Sequence, residues 1–305
     1  MKKIVLVFIF FTQILYAYNL PYVDFETSMQ LEKHEHFVDP EKTSKNTGIP
    51  YDQLMNFFKE LYEKNSFLKI VPSKQTRVPK IIHQIWIGKK VPEEFKEFQK
   101  SWKKFHPDWE YRLWTQRDID GFGFYNIDII RESRNPGEIS DLMRYEILYR
   151  YGGLYVDFDF ECLRPHDELN HMYDFYVGIQ PLDSDDLQLG IGLIGSVPGH
   201  PILESAIKNM RASWDTPGTF GFPAIRTGPI FFTRIFFETA GKDSYIDVAL
   251  PVHYFYPMDC KDYTLRYDQW FDSGSFGVHH WASSWTLQEF RRPKFRSIKN
   301  YKGAK

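Results

Sequence analysis

The sequence predicts an α/β fold with a single, mainly parallel sheet flanked by helices. Two observations lead to this prediction. Short, nearly continuous apolar runs, which are typical of strands buried in a parallel sheet, alternate with segments of helical periodicity. The first three elements of the main domain also come in the order strand, helix, strand. The chain has 305 residues, of which 43% are hydrophobic, so it can bury a substantial core without disulfides.

The main domain is predicted to begin at residue 78 with a strand, a helix and a second strand. An apolar run at 81–87, ended by Gly88, predicts the first strand. Aromatic residues then recur at helical spacing between Pro92 and Pro107 and predict the helix. Alternating apolar and charged residues at 109–113 predict the second strand.

The next predicted helix has clear signals at both ends. Asn135 is a suitable N-cap, Pro136 suits the first helical position, and Glu138 lies where a capping box places its acidic residue. The pair Gly152 and Gly153 ends the helix. We therefore expect a helix that leads directly into the next strand.

That strand, predicted at 154–160, carries Asp157 and Asp159 on one face. Two neighbouring carboxylates on an otherwise buried sheet are costly unless something neutralises them. A divalent cation with oxygen ligands does so and keeps coordination positions free for phosphate oxygens. The rival interpretation is that both side chains lie at a strand end and are solvated.

Asp141 and Arg144 share a face of the preceding helix, three residues apart. They form either a surface ion pair of small energetic value or a polar grip on a ligand. In the second case Asp141 accepts hydrogen bonds from sugar hydroxyls, and the planar fork of Arg144 holds a hydroxyl or a phosphate.

The rest of the main domain continues the α/β pattern. Further strands are predicted near 175–180, 189–195, 246–256 and 276–281, and further helices near 201–212 and from about Pro229.

The N-terminal residues predict export from the cytosol. Lys2 and Lys3 precede an apolar run at 4–15, and Ala17 offers a small residue for cleavage, as in a signal peptide. The run is short for a membrane span, so a signal peptide is favoured over a retained membrane anchor. The predicted organisation is a signal peptide or anchor at 1–17, a linker and helical segment at 18–77, a catalytic domain at 78–295 and a basic tail at 296–305.

Within residues 18–77, the polar stretch 18–50 has the composition of a linker, and an amphipathic helix is predicted at 51–63. The net charge of −2 shows no overall basic field that would indicate nucleic-acid binding. The two cysteines, Cys162 and Cys260, form no disulfide framework and exclude by their count a metal site built from cysteine. Whether they pair with each other is open.

Several motifs together resemble the sugar-binding region of glycosyltransferase family 32. They are the segment from Val78 to Gly88, the Ser-Asp-x-x-Arg block that runs through Gly-Gly to Asp-x-Asp at 140–159, the Thr-Gly-Pro at 227–229, and the His-His-Trp-Ala-Ser-Ser-Trp at 279–285. The 140–159 block is specific and the others are supportive. The resemblance covers roughly residues 78–290. That family includes initiation-specific α-1,6-mannosyltransferases and inositol phosphoceramide mannosyltransferases.

The resemblance implies a GT-A fold and a metal-dependent hexosyltransferase. The implied donor is a GDP- or UDP-sugar, with mannose favoured, and the implied cofactor is Mn²⁺ or Mg²⁺. Transfer would go with retention of configuration to a glycan, glycolipid or protein acceptor.

The resemblance also assigns roles to individual residues. Asp157 and Asp159 would hold the cation and serve catalysis, and His279 or His280 would complete the metal or diphosphate site. Around the donor, the implied binding residues are Trp86 beside the base, Asp141 and Arg144 on the sugar, and Tyr155 and Trp281. For Trp86 and Trp281, packing in the core is the rival interpretation.

Two other classes of function remain open from the residues alone. An Asp-dependent phosphohydrolase also uses Asp-x-Asp, but it usually has Thr or Val where this chain has Glu161. An exported carbohydrate-binding protein without catalysis is the second alternative, and the intact acidic residues weigh against it.

Overall fold

The computed structural model describes residues 22–34, 37–88, 90–260 and 274–282. The strands are β1 Ile81–Trp86, β2 Glu110–Thr115, β3 Gly153–Val156, β4 Phe160–Cys162, β5 Phe175–Ile179, β6 Leu189–Ser196, β7 Asp247–Leu250 and β8 Gly277–His279. The α-helices are α1 Phe25–Met29, α2 Leu31–His34, α3 Pro40–Thr47, α4 Tyr51–Lys64, α5 Lys96–Phe105, α6 Ile119–Phe122, α7 Ile127–Glu132, α8 Pro136–Tyr151, α9 Asp167–Met172, α10 Pro201–Trp214, α11 Pro223–Arg226, α12 Pro229–Thr239 and α13 Val252–Phe255.

A six-stranded sheet in the order β2-β1-β3-β6-β5-β7 forms the centre of the protein. β1 pairs in parallel with β2 and β3, and β5 pairs in parallel with β7. β6 runs antiparallel to both of its neighbours. Five strands therefore share one direction, which confirms the predicted α/β class with a mainly parallel central sheet.

A second, two-stranded sheet stands beside the main one and was not predicted. β4 pairs antiparallel with β8, so that Phe160 lies opposite His279. The sequence had assigned the segment 154–160 to one strand, but β3 ends at Val156 and a turn separates it from β4. The segment predicted as strand near 276–281 therefore belongs to this small sheet.

Helices cover the central sheet as predicted. α8 packs on β1, β3 and β6, and it also contacts α10, which in turn packs on α12. The Asn135 side chain accepts a hydrogen bond from the backbone N–H of Gly137 at 2.8 Å, and Pro136 occupies the first turn. The predicted cap is confirmed. The segment 246–256 differs from its prediction, because a strand at Asp247–Leu250 is followed by the short helix α13.

The stretch 18–50, predicted as a linker, is helical in its described part. Phe25 and Met29 on α1 are buried, and the Tyr62 hydroxyl of α4 donates to the Val23 carbonyl at 2.7 Å. The Tyr62 hydroxyl is also 2.8 Å from the Tyr254 hydroxyl. A few apolar side chains thus hold a mostly polar segment against the main domain, which composition alone does not reveal. The domain boundaries themselves stay a prediction.

The N-terminal run predicted as a signal peptide or anchor lies outside the described residues, as does the C-terminal tail. Among the residues that the structure does describe, none of the helices combines the length and the apolar character needed to cross a membrane.

Two consecutive glycines connect α8 to β3, where the chain passes very close to β1. Gly153 has φ +99°, and a Cβ atom there would lie 2.6 Å from the Ile81 carbonyl oxygen. The neighbouring ring of His83 bridges β2 and this connection. Its Nδ1 accepts from the indole N–H of Trp114 at 3.1 Å, so its Nε2 donates to the Gly152 carbonyl at 2.9 Å.

We predict that Gly153→Ala lowers the free energy of unfolding by about 2 kcal/mol, because the substitution adds both a clash and a strained φ. Urea denaturation measures the effect. The control is Gly121→Ala on α6, where a Cβ would meet nothing within 4 Å, and it should cost no stability. Equal effects of the two substitutions would contradict this account.

Candidate active site

Asp157 and Asp159 lie in the turn between β3 and β4, not on a strand. The backbone N–H of Asp157 donates to the Gly192 carbonyl at 2.7 Å, and the N–H of Phe160 donates to the Asp157 carbonyl at 3.2 Å. The carboxylates consequently leave the sheet at the carboxyl end of β3. The prediction of a continuous strand was wrong, but its consequence, that the two carboxylates face one site, is what the structure has.

Three potential ligand atoms converge at this turn. One carboxylate oxygen each of Asp157 and Asp159 and one ring nitrogen of His279 all lie within 4.8 Å of one another. His279 ends β8, which pairs with β4, so the small sheet carries the histidine to the acidic turn. Carboxylate oxygens with one imidazole suit a divalent cation such as Mn²⁺ or Mg²⁺. The residues present therefore fit the metal that the sequence predicted.

Asp159 is an anion held by two contacts. His279 Nε2 is 3.1 Å from its Oδ1, and the backbone N–H of Ala282 donates to its Oδ2 at 2.7 Å. Burial raises the pKa of Asp159, but the charge and the hydrogen bond of His279, together with the Ala282 N–H, outweigh it and lower the pKa to about 2. The carboxyl group is therefore ionised at neutral pH.

Asp157 is more open, with 29% of its side chain exposed. The buried hydroxyl of Tyr155 donates to its Oδ1 at 2.6 Å, and Arg144 Nη2 lies 3.5 Å from the same oxygen. Its other oxygen lies against Gly192, where a Cβ atom would come within 2.9 Å of Oδ2. Asp157 is thus oriented from one side by donors, while a glycine leaves room on the other.

Arg144 is buried and connects the two acidic positions of the predicted site. Its Nη2 lies 3.0 Å from Asp141 Oδ1, and its Nη1 donates to the Ile191 carbonyl at 2.6 Å. The guanidinium also stacks over the Tyr155 ring at 4.4 Å. The structure therefore brings Asp141, Arg144, Tyr155 and Asp157 into one connected network.

Asp141 lies at the buried end of this network. The Thr227 hydroxyl donates to its Oδ2 at 2.8 Å. Burial raises the pKa of Asp141 to about 7, and the opposing effects of Arg144 and Thr227 reduce this shift without cancelling it. In the sequence, Thr227 stands out only as part of the Thr-Gly-Pro motif. The structure shows that its hydroxyl contacts Asp141 within the site.

The His280 side chain is directed away from the two aspartates, although its backbone N–H donates to the Asp159 carbonyl at 2.8 Å. Its Nε2 lies 3.0 Å from Glu161 Oε2, and its ring stacks on Phe98 at 4.2 Å. Successive residues of a strand point to opposite faces, so only His279 reaches the two aspartates. Of the two predicted histidines, the structure places His279 alone among the potential metal ligands of the described residues.

Two predicted donor-binding tryptophans pack against the protein. Trp281 is 8% exposed, has φ +51° and donates its indole N–H to the Met258 carbonyl at 3.1 Å. Trp86 is half-buried against Phe95 and Phe158, and its buried indole N–H has no hydrogen-bond partner among the described residues. An unpartnered donor is costly, so Trp86 retains a group that a ligand would satisfy.

A cavity of about 500 Å³ opens beyond the carboxyl end of β1. Its wall begins at Ile87, directly after Trp86, and includes residues from the start of α8. The lining residues are Ile87, Gln116, Ile119, Asp120, Ile130, Arg131, Ser133, Arg134, Pro136 and Ile139. A mixed apolar and polar lining at this position matches the rule that ligands bind beyond the carboxyl ends of parallel strands.

Sequence reasoning missed three residues that support the acidic turn. Gln84 is buried on β1 and donates to the Asp157 carbonyl at 3.3 Å. On β6, Gly190 leaves room for Tyr256, since a Cβ there would lie 2.0 Å from the Tyr256 hydroxyl, and Gly192 leaves room for Asp157. For Gly190 and Gly192, the signal in the sequence is a pair of glycines inside a strand, which marks the close approach of another group.

A comparison with protein families matches the region that contains both aspartates of this site. Residues 92–176 match the family described as glycosyltransferase sugar-binding region containing DXD motif. The predicted relationship to glycosyltransferase family 32 is thereby confirmed, and the matched region contains the Asp-x-Asp sequence Asp157-Phe158-Asp159.

Curated relatives agree with this match. Inositol phosphoceramide mannosyltransferase 3 of Schizosaccharomyces pombe is 28% identical over 70% of this chain and 63% of its own length. A mannosyl phosphorylinositol ceramide synthase of Saccharomyces cerevisiae is 32% identical over 60% of this chain and 49% of its own. The chain thus spans less than two thirds of the length of these relatives. Among solved structures, PaToxG glycosyltransferase aligns with a TM-score of 0.42 and 17% identity over 62% of this chain and 79% of its own.

The geometry of the acidic turn predicts where a divalent ion binds. Asp159→Asn should weaken Mn²⁺ binding by at least about tenfold, because it removes one of two anionic ligands. Electron paramagnetic resonance of free Mn²⁺ during titration measures the affinity. The control is Asp243→Asn, at an exposed position away from the turn. Unchanged Mn²⁺ affinity in Asp159→Asn would rule out this ligand set.

Proposed function

We propose that this protein is a metal-dependent glycosyltransferase that transfers a hexose, with mannose favoured, from a nucleotide-sugar donor. The observation that carries the proposal is the convergence of Asp157, Asp159 and His279 at the carboxyl end of β3, where the two aspartates lie within the segment that matches a glycosyltransferase sugar-binding region. The family match supports the class of reaction. The donor, the ion and the acceptor are proposals that rest on the chemistry of the surrounding residues and on the printed names of the relatives.

The donor nucleotide is proposed to occupy the cavity that begins at Ile87. Its apolar wall suits the faces of a base, and Gln116, Ser133 and Arg134 provide polar groups for the base edge, the ribose or a phosphate. The unpartnered indole N–H of Trp86 lies at the same strand end. This arrangement directs the diphosphate from the cavity toward the acidic turn, which agrees with the role that sequence similarity implied for Trp86.

The donor sugar is proposed to lie beside the network of Asp141 and Arg144. Arg144 has its guanidinium held by Asp141, Asp157 and the Ile191 carbonyl, so it is rigid before a ligand arrives. Such preorganisation keeps the orientation of Asp157 fixed while the donor binds. Tyr155 acts through Asp157 in this proposal, because its hydroxyl is buried and already donates to that carboxylate.

Departure of the nucleoside diphosphate is the charge-separating part of the transfer. Mn²⁺ or Mg²⁺ held by Asp157, Asp159 and His279 would neutralise the charge that develops on the diphosphate. Asp159 is kept ionised by His279 and Ala282, so it is a ligand at neutral pH without first losing a proton. Transfer with retention of configuration is part of the proposal on the grounds of similarity, and the anomeric configuration of the product tests it.

The acceptor is proposed to be a glycolipid, a glycan or a protein hydroxyl. The relatives carry names of enzymes that act on inositol phosphoceramide, which makes a phosphoinositol-containing lipid the first acceptor to try. Export by the N-terminal segment stays a prediction that an N-terminal sequence of the secreted protein would test.

We predict that Asp157→Asn lowers transfer from GDP-mannose or a UDP-hexose by at least about a hundredfold, because it removes charge that the leaving diphosphate needs. Release of nucleoside diphosphate, with and without acceptor, measures the activity, and circular dichroism checks the fold. Asp243→Asn is the matched control. Full activity in Asp157→Asn would refute the proposed site, and release of inorganic phosphate from simple esters would favour a phosphohydrolase instead.

We further predict that the cognate donor raises the melting temperature only in the presence of Mn²⁺ or Mg²⁺, because binding to the folded state stabilises it by mass action. A screen of GDP- and UDP-sugars by thermal shift identifies the donor. Arg134→Ala, which removes a charge from the cavity wall, should reduce the shift, whereas Arg117→Ala, exposed and outside that wall, should not. An undiminished shift in Arg134→Ala would place the donor elsewhere.

A further inference from the structure

A second cluster of potential metal ligands lies in the interior, apart from the acidic turn. His106, Cys162 and His166 each offer one ligand atom, and these atoms lie within 4.8 Å of one another. All three residues are 2% exposed or less. We propose that this cluster is a structural site for a thiophilic transition-metal ion, with Zn²⁺ as the representative, bound by one thiolate and two neutral imidazoles.

The environment of the two ring nitrogens of His166 is the first observation in favour of this site. Neither ring nitrogen makes a hydrogen bond of normal length and angle with the described residues, although the side chain is completely buried. The ring stacks parallel to Phe255 and contacts Trp102 and Phe276. A buried imidazole without any partner is costly, and this cost falls if one of the two nitrogens binds an ion.

His106 has the tautomer that a metal ligand requires. Its Nδ1 lies 3.0 Å from the Trp102 carbonyl oxygen, which only accepts, so Nδ1 carries the proton and Nε2 is bare. Ligating histidines usually donate their second ring N–H to such a carbonyl. Nε2 accepts the backbone N–H of His166 at 2.9 Å, and an ion would displace this hydrogen bond. Losing it is a small cost beside the binding of Zn²⁺ by thiolate and imidazole.

The chemistry of the third ligand sets the class of ion. The Cys162 thiol donates to the Arg164 carbonyl at 3.2 Å. Binding Zn²⁺ forms one sulfur–zinc bond and releases the thiol proton to solvent, with no change of oxidation state. Thiolate with imidazole selects Zn²⁺ or Cu⁺ over Mn²⁺ and Mg²⁺. The cysteine count excluded a site of cysteines alone, whereas histidines supply the missing ligands here.

The location indicates a structural role. His106 caps the end of α5, Cys162 ends β4, and His166 precedes α9, so an ion would join three elements.

In the test, EDTA first clears exposed sites on the purified full chain. The chain is then loaded with Zn²⁺ or, in a separate sample, with Co²⁺. We expect about one retained zinc ion per chain by mass spectrometry of the metal. We also expect a thiolate-to-cobalt charge-transfer band in the near ultraviolet, which an oxygen and nitrogen site such as Asp157, Asp159 and His279 cannot produce.

The band should persist in Cys260→Ser, which removes the other cysteine, and vanish in Cys162→Ser. If Cys162→Ser does not fold, His166→Phe provides the second variant, because an aromatic ring suits the surrounding Trp102, Phe255 and Phe276. It should fold and lose both the zinc and the band. A wild-type protein without retained zinc or band, or a band that survives either cluster substitution, would overturn the proposal.

Discussion

The confinement of two carboxylates at the end of a buried strand is the constraint on which the site depends. Asp157 and Asp159 would repel each other, and both are partly withdrawn from water. The protein supplies compensating donors from three directions: the Tyr155 hydroxyl, the His279 ring and the backbone N–H of Ala282. These contacts orient the carboxylates without satisfying every oxygen, so the turn remains a receptor for positive charge.

Much of the fold could be predicted because its signals are local. The Asn135 cap, the Gly152-Gly153 stop and the apolar run of β1 identified α8 and the parallel core directly. The linker prediction failed because few residues carry the attachment of the N-terminal helices. Phe25 and Met29 are buried although the stretch that contains them has a polar average composition, and an average over composition conceals such isolated anchors.

The candidate site was predictable in its residues and less so in its geometry. Asp141, Arg144, Asp157, Asp159 and His279 do come together, since α8 packs on β3 and β8 pairs with β4. Pairing of β4 with β8 decides between His279 and His280, and this pairing joins segments more than a hundred residues apart in the sequence. Likewise, the supporting role of Gln84 depends on β1 lying next to β3. No local pattern contains either fact.

The short strand β4 connects the acidic turn with the interior of the protein. The Trp102 indole N–H donates to the Phe160 carbonyl at 2.7 Å, and the Ser101 hydroxyl accepts the Cys162 N–H at 2.9 Å, so α5 holds both ends of β4. The end of α5 is in turn fixed by His106, which accepts from the backbone at His166. Because β4 is only three residues long and carries His279 through its pairing, its position depends on this framework. The interior cluster and the acidic turn are therefore connected through α5 and β4.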